Sequence, residues 1–241
     1  MLGEYITFPH LLIFFPLIAG LAVFFIKEEA TAKACALAAA LITLAISLAS
    51  IYYASDPVMS GTTYSYEWLK YLGSSFSVSF DGAGRILTLL TAVSFPIIFI
   101  ATYKNSYKNA NVFFGLMLLS QSGLMGVFTA SDALIFYFFW ELALIPVYFL
   151  CSYWGGEKRI QATFKFFIYT FVGSLLMLTG IIYIYLQTGH TDFAYHNFFT
   201  ECILCSAAFC ASAELVVLVI LYRFRDQDAD LPFSYLAAGC V

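Results

Sequence analysis

Apolar runs of about twenty residues alternate along this chain with short polar connections. A helix needs roughly 20 apolar residues to cross the hydrocarbon core of a bilayer. Six segments meet that requirement: Tyr5–Ile26, Cys35–Tyr53, Ile86–Tyr103, Val112–Ala130, Ala133–Tyr153 and Phe166–Leu186. A seventh apolar stretch, Cys202–Tyr222, is interrupted by Glu214. The pattern predicts an all-α integral membrane protein with six transmembrane helices and a possible seventh. Residues 1–200 form its helical domain. The longest polar connection, Asp56–Asp81, is rich in Ser, Thr, Gly and Tyr, and SSFSVSF within it alternates as a short extended piece would. Gly155–Arg159 reads as a tight turn.

Composition supports this pattern. Of 241 residues, 62% are hydrophobic and 11% charged, against about 45–50% and about 25% in soluble domains. Lipid contact accounts for an apolar excess that burial alone cannot. The net charge is −4 and the cations are scattered, so nucleic acid is not an expected partner; the lipid bilayer is. The N-terminus lacks the cationic region of a signal peptide and reads as a retained span.

The loop charges predict orientation, because Lys and Arg favour the cytoplasmic side. The odd-numbered connections carry Lys27, Lys33, Lys104, Lys108, Lys158 and Arg159, with Lys165 entering the sixth span. The even ones carry Lys70 and Arg85. This places the odd connections in the cytoplasm and the N-terminus outside.

Glu141 lies near the middle of the fifth span, in FYFFWELALIPVYFL. A charged side chain at that depth costs roughly 2.5–3.5 kcal/mol or more. It persists only if it is protonated, paired or beside internal water, and each option ties its proton to its surroundings. The rival reading is a neutral carboxyl bonded to a neighbouring helix. Pro146, five residues on, removes a backbone N–H and leaves the Leu142 carbonyl without its usual donor. That site can hold a water or be only a tolerated kink. Lys165 opens the sixth span and either snorkels to the interface or joins a relay. Asp132 heads the fifth span as an anion favoured by the helix dipole. No haem, nucleotide or metal-ligand motif stands out in the first 200 residues, so no cofactor is expected in this chain.

The run Ser131–Leu186 resembles subunit M, or chain 4, of the proton-pumping NADH–quinone oxidoreductases. The resemblance rests on FYFFWELALIP at Phe136–Pro146, Trp154–Gly155, and KFFIYTFVGSLLML at Lys165–Leu178. SFDG at Ser79–Gly82 and GVFTASDALIFY at Gly126–Tyr137 add to it, and it covers about Gly3 to Tyr195. Ala83–Arg85 departs from the Leu and Ser usual in that family. The resemblance implies an antiporter-like subunit of the membrane arm in a bacterial inner membrane, with the other membrane-arm subunits as partners. It implies that NADH, FMN, iron–sulfur clusters and quinone belong to partner subunits. Glu141 matches a Glu that pairs, in the family, with a Lys on the seventh helix of a proton channel. A cation/proton antiporter subunit and a non-transporting structural membrane protein are the competing readings.

After the sixth span the family continues with a stretch like AFAIKMPIFPFHTWLPDA, where this chain reads RFRDQDADLPFSYLAAGCV. Written as degenerate codons and read one nucleotide later, Arg223–Val241 admits every residue of the family stretch. Residues 201–241 are therefore expected to be a frame-shifted tail, with the frame change between Thr200 and Glu214. On this expectation Cys202 and Cys205 carry no metal or redox role, and the partner lysine's codon straddles Gln227 and Asp228.

A single cysteine placed at Asn109, in a background lacking the native cysteines, tests the orientation. Membrane-impermeant maleimide should label it only from the cytoplasmic side; labelling from outside would overturn the assignment.

Overall fold

The computed structural model describes residues 7–53, 65–69, 74–156 and 159–187. The possible seventh stretch, the tail and Lys158 lie outside them. Six α-helices occur among the described residues: α1 (Phe8–Phe24), α2 (Glu29–Tyr52), α3 (Gly82–Thr102), α4 (Ala110–Thr129), α5 (Ala133–Trp154) and α6 (Arg159–Gln187). Five of them, α2 to α6, are long and apolar enough to cross a membrane. The described part of α1 has 17 residues, the lower limit for a crossing. Two short strands, β1 (Ser65–Leu69) and β2 (Ser74–Ser77), pair with each other in the α2–α3 connection. The extended piece expected in SSFSVSF is β2; its partner β1 was not anticipated.

Four helices, α2, α3, α4 and α6, start earlier than hydropathy predicts, α2 and α6 by the most. α2 begins at Glu29 rather than Cys35, and α6 at Arg159 rather than Phe166. Hydropathy marks where side chains enter lipid, whereas a helix continues wherever its backbone bonds continue. Glu29 and Lys33 support the extra turn of α2 as an i,i+4 ion pair, Nζ to Oε1 2.8 Å.

The chain divides into two compact units. One comprises α1–α4, most of the strand region and α5 up to Val147; the other contains the end of α5 from Tyr148, and α6. In the first unit two apolar clusters fill the bundle. One gathers Ala36 and Ala40 of α2, Phe95 and Phe99 of α3, and Phe114 and Leu118 of α4. The other gathers Leu12 and Ile13 of α1, Val78, Ala92 of α3, Met125 of α4 and Phe139 of α5, with Leu44 of α2 packed against it.

Polar contacts tie the two ends of this bundle. At one end Lys33 Nζ donates to the Asn105 carbonyl at 2.7 Å, and Asn111 Nδ2 donates to the Phe24 carbonyl at 3.1 Å. The α1–α2 and α3–α4 connections thus share an end. At the other end Ser79 N–H donates to the Thr129 carbonyl (2.8 Å) and Ser131 N–H to the Ser77 carbonyl (3.0 Å). Val78 and Ala130 form an antiparallel bridge. The strand region thereby holds the turn between α4 and α5.

Glycines set the helix spacing. A Cβ at Gly20 would lie 3.1 Å from the Gly115 carbonyl oxygen, so α1 and α4 meet at backbone distance. A Cβ at Gly123 would lie 2.8 Å from the Cα of Ala143 on α5, and the Phe139 ring lies against Gly126. Small residues let membrane helices approach in this way. GLMG has a spacing of three, not the four of G-x-x-x-G, yet both of its glycines face α5.

Gly123→Leu should push α5 off α4 and lower stability by roughly 1–3 kcal/mol. Thermal unfolding in detergent, read beside Leu124→Ala as a control of similar depth, checks this; an unchanged midpoint for the leucine variant would contradict the packing.

Candidate functional site

The site is built on α5. Asp132 caps this helix: its Oδ1 accepts from the N–H of Leu134 at 2.8 Å and of Ile135 at 3.3 Å. Its carbonyl accepts the Phe136 N–H at 2.9 Å. The carboxylate meets free N–H groups at the positive end of the helix dipole. Asp132 is only 1% exposed, so as the helix-start anion it is covered by protein. The strand bridge at Ala130 holds the chain just before it.

α5 has a side packed on α4 and an exposed side. Phe139 and Ala143 meet Gly126 and Gly123 of α4. Phe138, Ile145 and Phe149 are exposed apolar side chains on a second face. Glu141, Leu144 and Tyr148 lie about 140–200° round from Phe139 at 100° per residue, next to that exposed stripe. Glu141 is thus off the face packed on α4; three residues after Phe138 and four before Ile145, it borders the exposed stripe. It lies about 12 Å along the helix from Ala133, well inside a hydrocarbon core of about 30 Å.

Glu141 is half-buried. Its Oε1 atom is shut off from solvent and has no hydrogen-bond partner among the described residues. A carboxyl oxygen in that condition calls for a proton, a cation or a water. Pro146 is buried in the same helix, which runs unbroken through it to Trp154. The missing N–H leaves the Leu142 carbonyl free, next in sequence to Glu141. The carbonyl and the carboxyl are two acceptors on adjacent residues.

In the second unit, Tyr148 meets Phe167 of α6 at 4.9 Å between ring centroids, and Phe167 stacks on Phe171. Lys165 is half-buried. It does not open its helix, as the hydropathy suggested, but follows Arg159 by about 9 Å along the axis. Arg85, left without a role by the sequence, sets its guanidinium 5.8 Å from the centre of the Phe80 ring.

Some polar groups in the interior escaped the sequence reading. Gln121 is fully buried on α4, and neither atom of its amide has a partner among the described residues. Ser47 and Ser120 have unpartnered hydroxyls as well. Their signal was present in the sequence, in the Ser-Gln-Ser run at 120–122 inside an apolar span.

The family profile described as "NADH:quinone oxidoreductase/Mrp antiporter, TM" matches residues 130–222. That match opens at the turn into α5 and contains Glu141. This chain belongs to that family. It is 39% identical over 188 residues to the F(420)H(2) dehydrogenase subunit M of Methanosarcina mazei, covering 76% of this chain and 38% of that protein. It is 34% identical over 198 residues to the NADH-quinone oxidoreductase subunit M of Rickettsia typhi, covering 78% of this chain and 40% of that protein. A chain of the respiratory complex I from Thermus thermophilus superposes with a TM-score of 0.67 at 26% identity, over 78% of this chain and 38% of that one. The chain therefore spans about two fifths of the length of these relatives. It is an integral, multi-pass membrane protein of the complex I type.

Proposed function

We propose that this chain is the N-terminal portion of a proton-translocating membrane-arm subunit, with Glu141 as its proton-binding group. The observation that carries this reading is the Glu141 carboxyl itself. It lies in mid-membrane depth on α5, off the face packed on α4, with Oε1 buried and unpartnered among the described residues. A carboxyl there can accept a proton from one side and release it to another when a cation approaches or withdraws. Asp132 acts as a positioning residue that fixes the start of α5, and the Leu142 carbonyl freed by Pro146 offers a water-binding acceptor. Lys165 is placed as an interfacial cation or a further relay member.

The redox chemistry belongs to partner subunits. NADH, FMN, iron–sulfur clusters and quinone would be handled there, and this chain would couple their reaction to proton transfer through the membrane arm. One relative is a subunit of an F(420)H(2) dehydrogenase, so the electron donor of the whole complex can differ while the proton machinery stays the same. A subunit of a multi-subunit cation/proton antiporter is the second reading, favoured by the shared family profile. Neighbouring genes for redox subunits, rather than antiporter subunits, separate the two. The loop charges orient the N-terminus to the outside, and the shared end of the α1–α2 and α3–α4 connections is consistent with that alternation.

The tail enters the same reading. The family profile runs to residue 222 in the frame as written, overlapping residues 201–222 of the expected tail; the codon argument for Arg223–Val241 lies beyond that match. Read one nucleotide later, this segment supplies the lysine that Glu141 would pair with. In the frame as written, this segment carries no lysine for Glu141 to pair with.

One complementation experiment tests both parts. A strain lacking this subunit receives the gene as written, the gene shifted by one nucleotide, or the shifted gene carrying Glu141→Gln. Only the shifted gene should restore proton pumping, and Glu141→Gln should lower it by about 10²-fold or more while the protein still assembles. Pumping by the gene as written would sink the frame-shift reading; full pumping by the Gln variant would leave Glu141 a structural role alone.

A further inference from the structure

Each helix of the α2–α4 group passes from one apolar cluster to the other near its middle, and each carries a polar residue at that crossing. On α2 it is Thr43, between Ala40 of the first cluster and Leu44 beside the second. On α3 it is Thr91, next to Ala92 and one turn from Phe95. On α4 it is Gln121, between Leu118 and Met125. All three are buried, Thr43 and Gln121 completely. One turn beyond Thr43, α2 continues the polar stripe with Ser47, which is 1% exposed.

The hydrogen bonds of these residues do not close. Thr43 Oγ1 donates to the Ala39 carbonyl at 2.8 Å, and Thr91 Oγ1 to the Leu87 carbonyl at 2.9 Å. Each hydroxyl has used its proton within its own helix and keeps oxygen lone pairs as acceptors. Gln121 brings two amide protons and a carbonyl oxygen, and Ser47 one hydroxyl, all without partners among the described residues. A primary amide in a non-polar interior is strongly disfavoured unless something bonds it. Water is the fitting ligand, because it both donates and accepts and settles where it finds two to four polar partners. A cation would leave the two amide protons of Gln121 unbonded, since it can only be bound by acceptors.

We propose that Gln121 anchors an internal water site in the bundle interior, at the polar layer between the two apolar clusters. This site is separate from that of Glu141. Gln121 lies about 200° round α4 from Gly123, which faces α5, so it points into the α1–α4 bundle. The inference therefore stands whatever Glu141 does.

The test is a cryo-electron microscopy map of the chain, purified from its native membrane with its associated subunits, at a resolution that shows ordered solvent. The expected result is a water peak at hydrogen-bond distance, about 2.7–3.2 Å, from the Gln121 amide. Direct bonding of that amide to protein atoms, or an empty space beside it, would overturn the proposal. A second map, of Gln121→Met, should lose the peak. A peak that persists unchanged would also overturn the assignment, since other groups would then hold the water. If the Met variant does not assemble, the wild-type map still decides.

Discussion

A polar group inside hydrocarbon has no solvent to bond, and each unsatisfied one costs several kcal/mol. That constraint governs most of what is distinctive in this chain. It makes every crossing a helix, so that backbone groups bond within the segment. It turns hydroxyls back on their own helices, as Thr43, Thr91 and Thr129 do toward carbonyls three or four residues earlier. It also makes the exceptions informative. Among the described residues, the buried side-chain atoms left without partners include Glu141 Oε1, the Gln121 amide and the Ser47 hydroxyl. Glu141 is the acidic one of these, and an acid can exchange a proton.

The scaffold is arranged so that this carboxyl is held in depth and direction. Asp132 fixes where α5 begins, and the bridge from Val78 to Ala130 fixes the turn that delivers it. Gly123 and Gly126 bring one face of α5 to backbone distance from α4. With that face packed, helical geometry puts Glu141 on the far side of α5, beside the exposed Phe138 and Ile145. The membership of an antiporter-type family agrees with this arrangement, and the family profile begins where α5 does.

Much of this was legible in the sequence. Apolar run length gave the helices and their order, and a lone Glu in FYFFWELALIP marked the site before any coordinates. The starts of α2 and α6 were misplaced because hydropathy follows the side chains' solvent, not the backbone's bonds. β1 was invisible because a five-residue strand in a Ser- and Tyr-rich loop has no pattern of its own. The two glycines of GLMG do not make the G-x-x-x-G signature, although three residues along a helix share a face as well as four do. Gln121 was passed over because an uncharged residue barely lowers the hydropathy of its span, while its amide carries as much unmet hydrogen bonding as any group in the bundle.

The central claim is that Glu141 gains and loses a proton during turnover. Infrared difference spectra of the working complex, taken in H2O and D2O, measure that directly. The account predicts a carboxylic-acid C=O stretch that changes with turnover, shifts in D2O and vanishes in the Glu141→Gln variant. A turnover spectrum in which that band is the same in the wild type and the variant would contradict it.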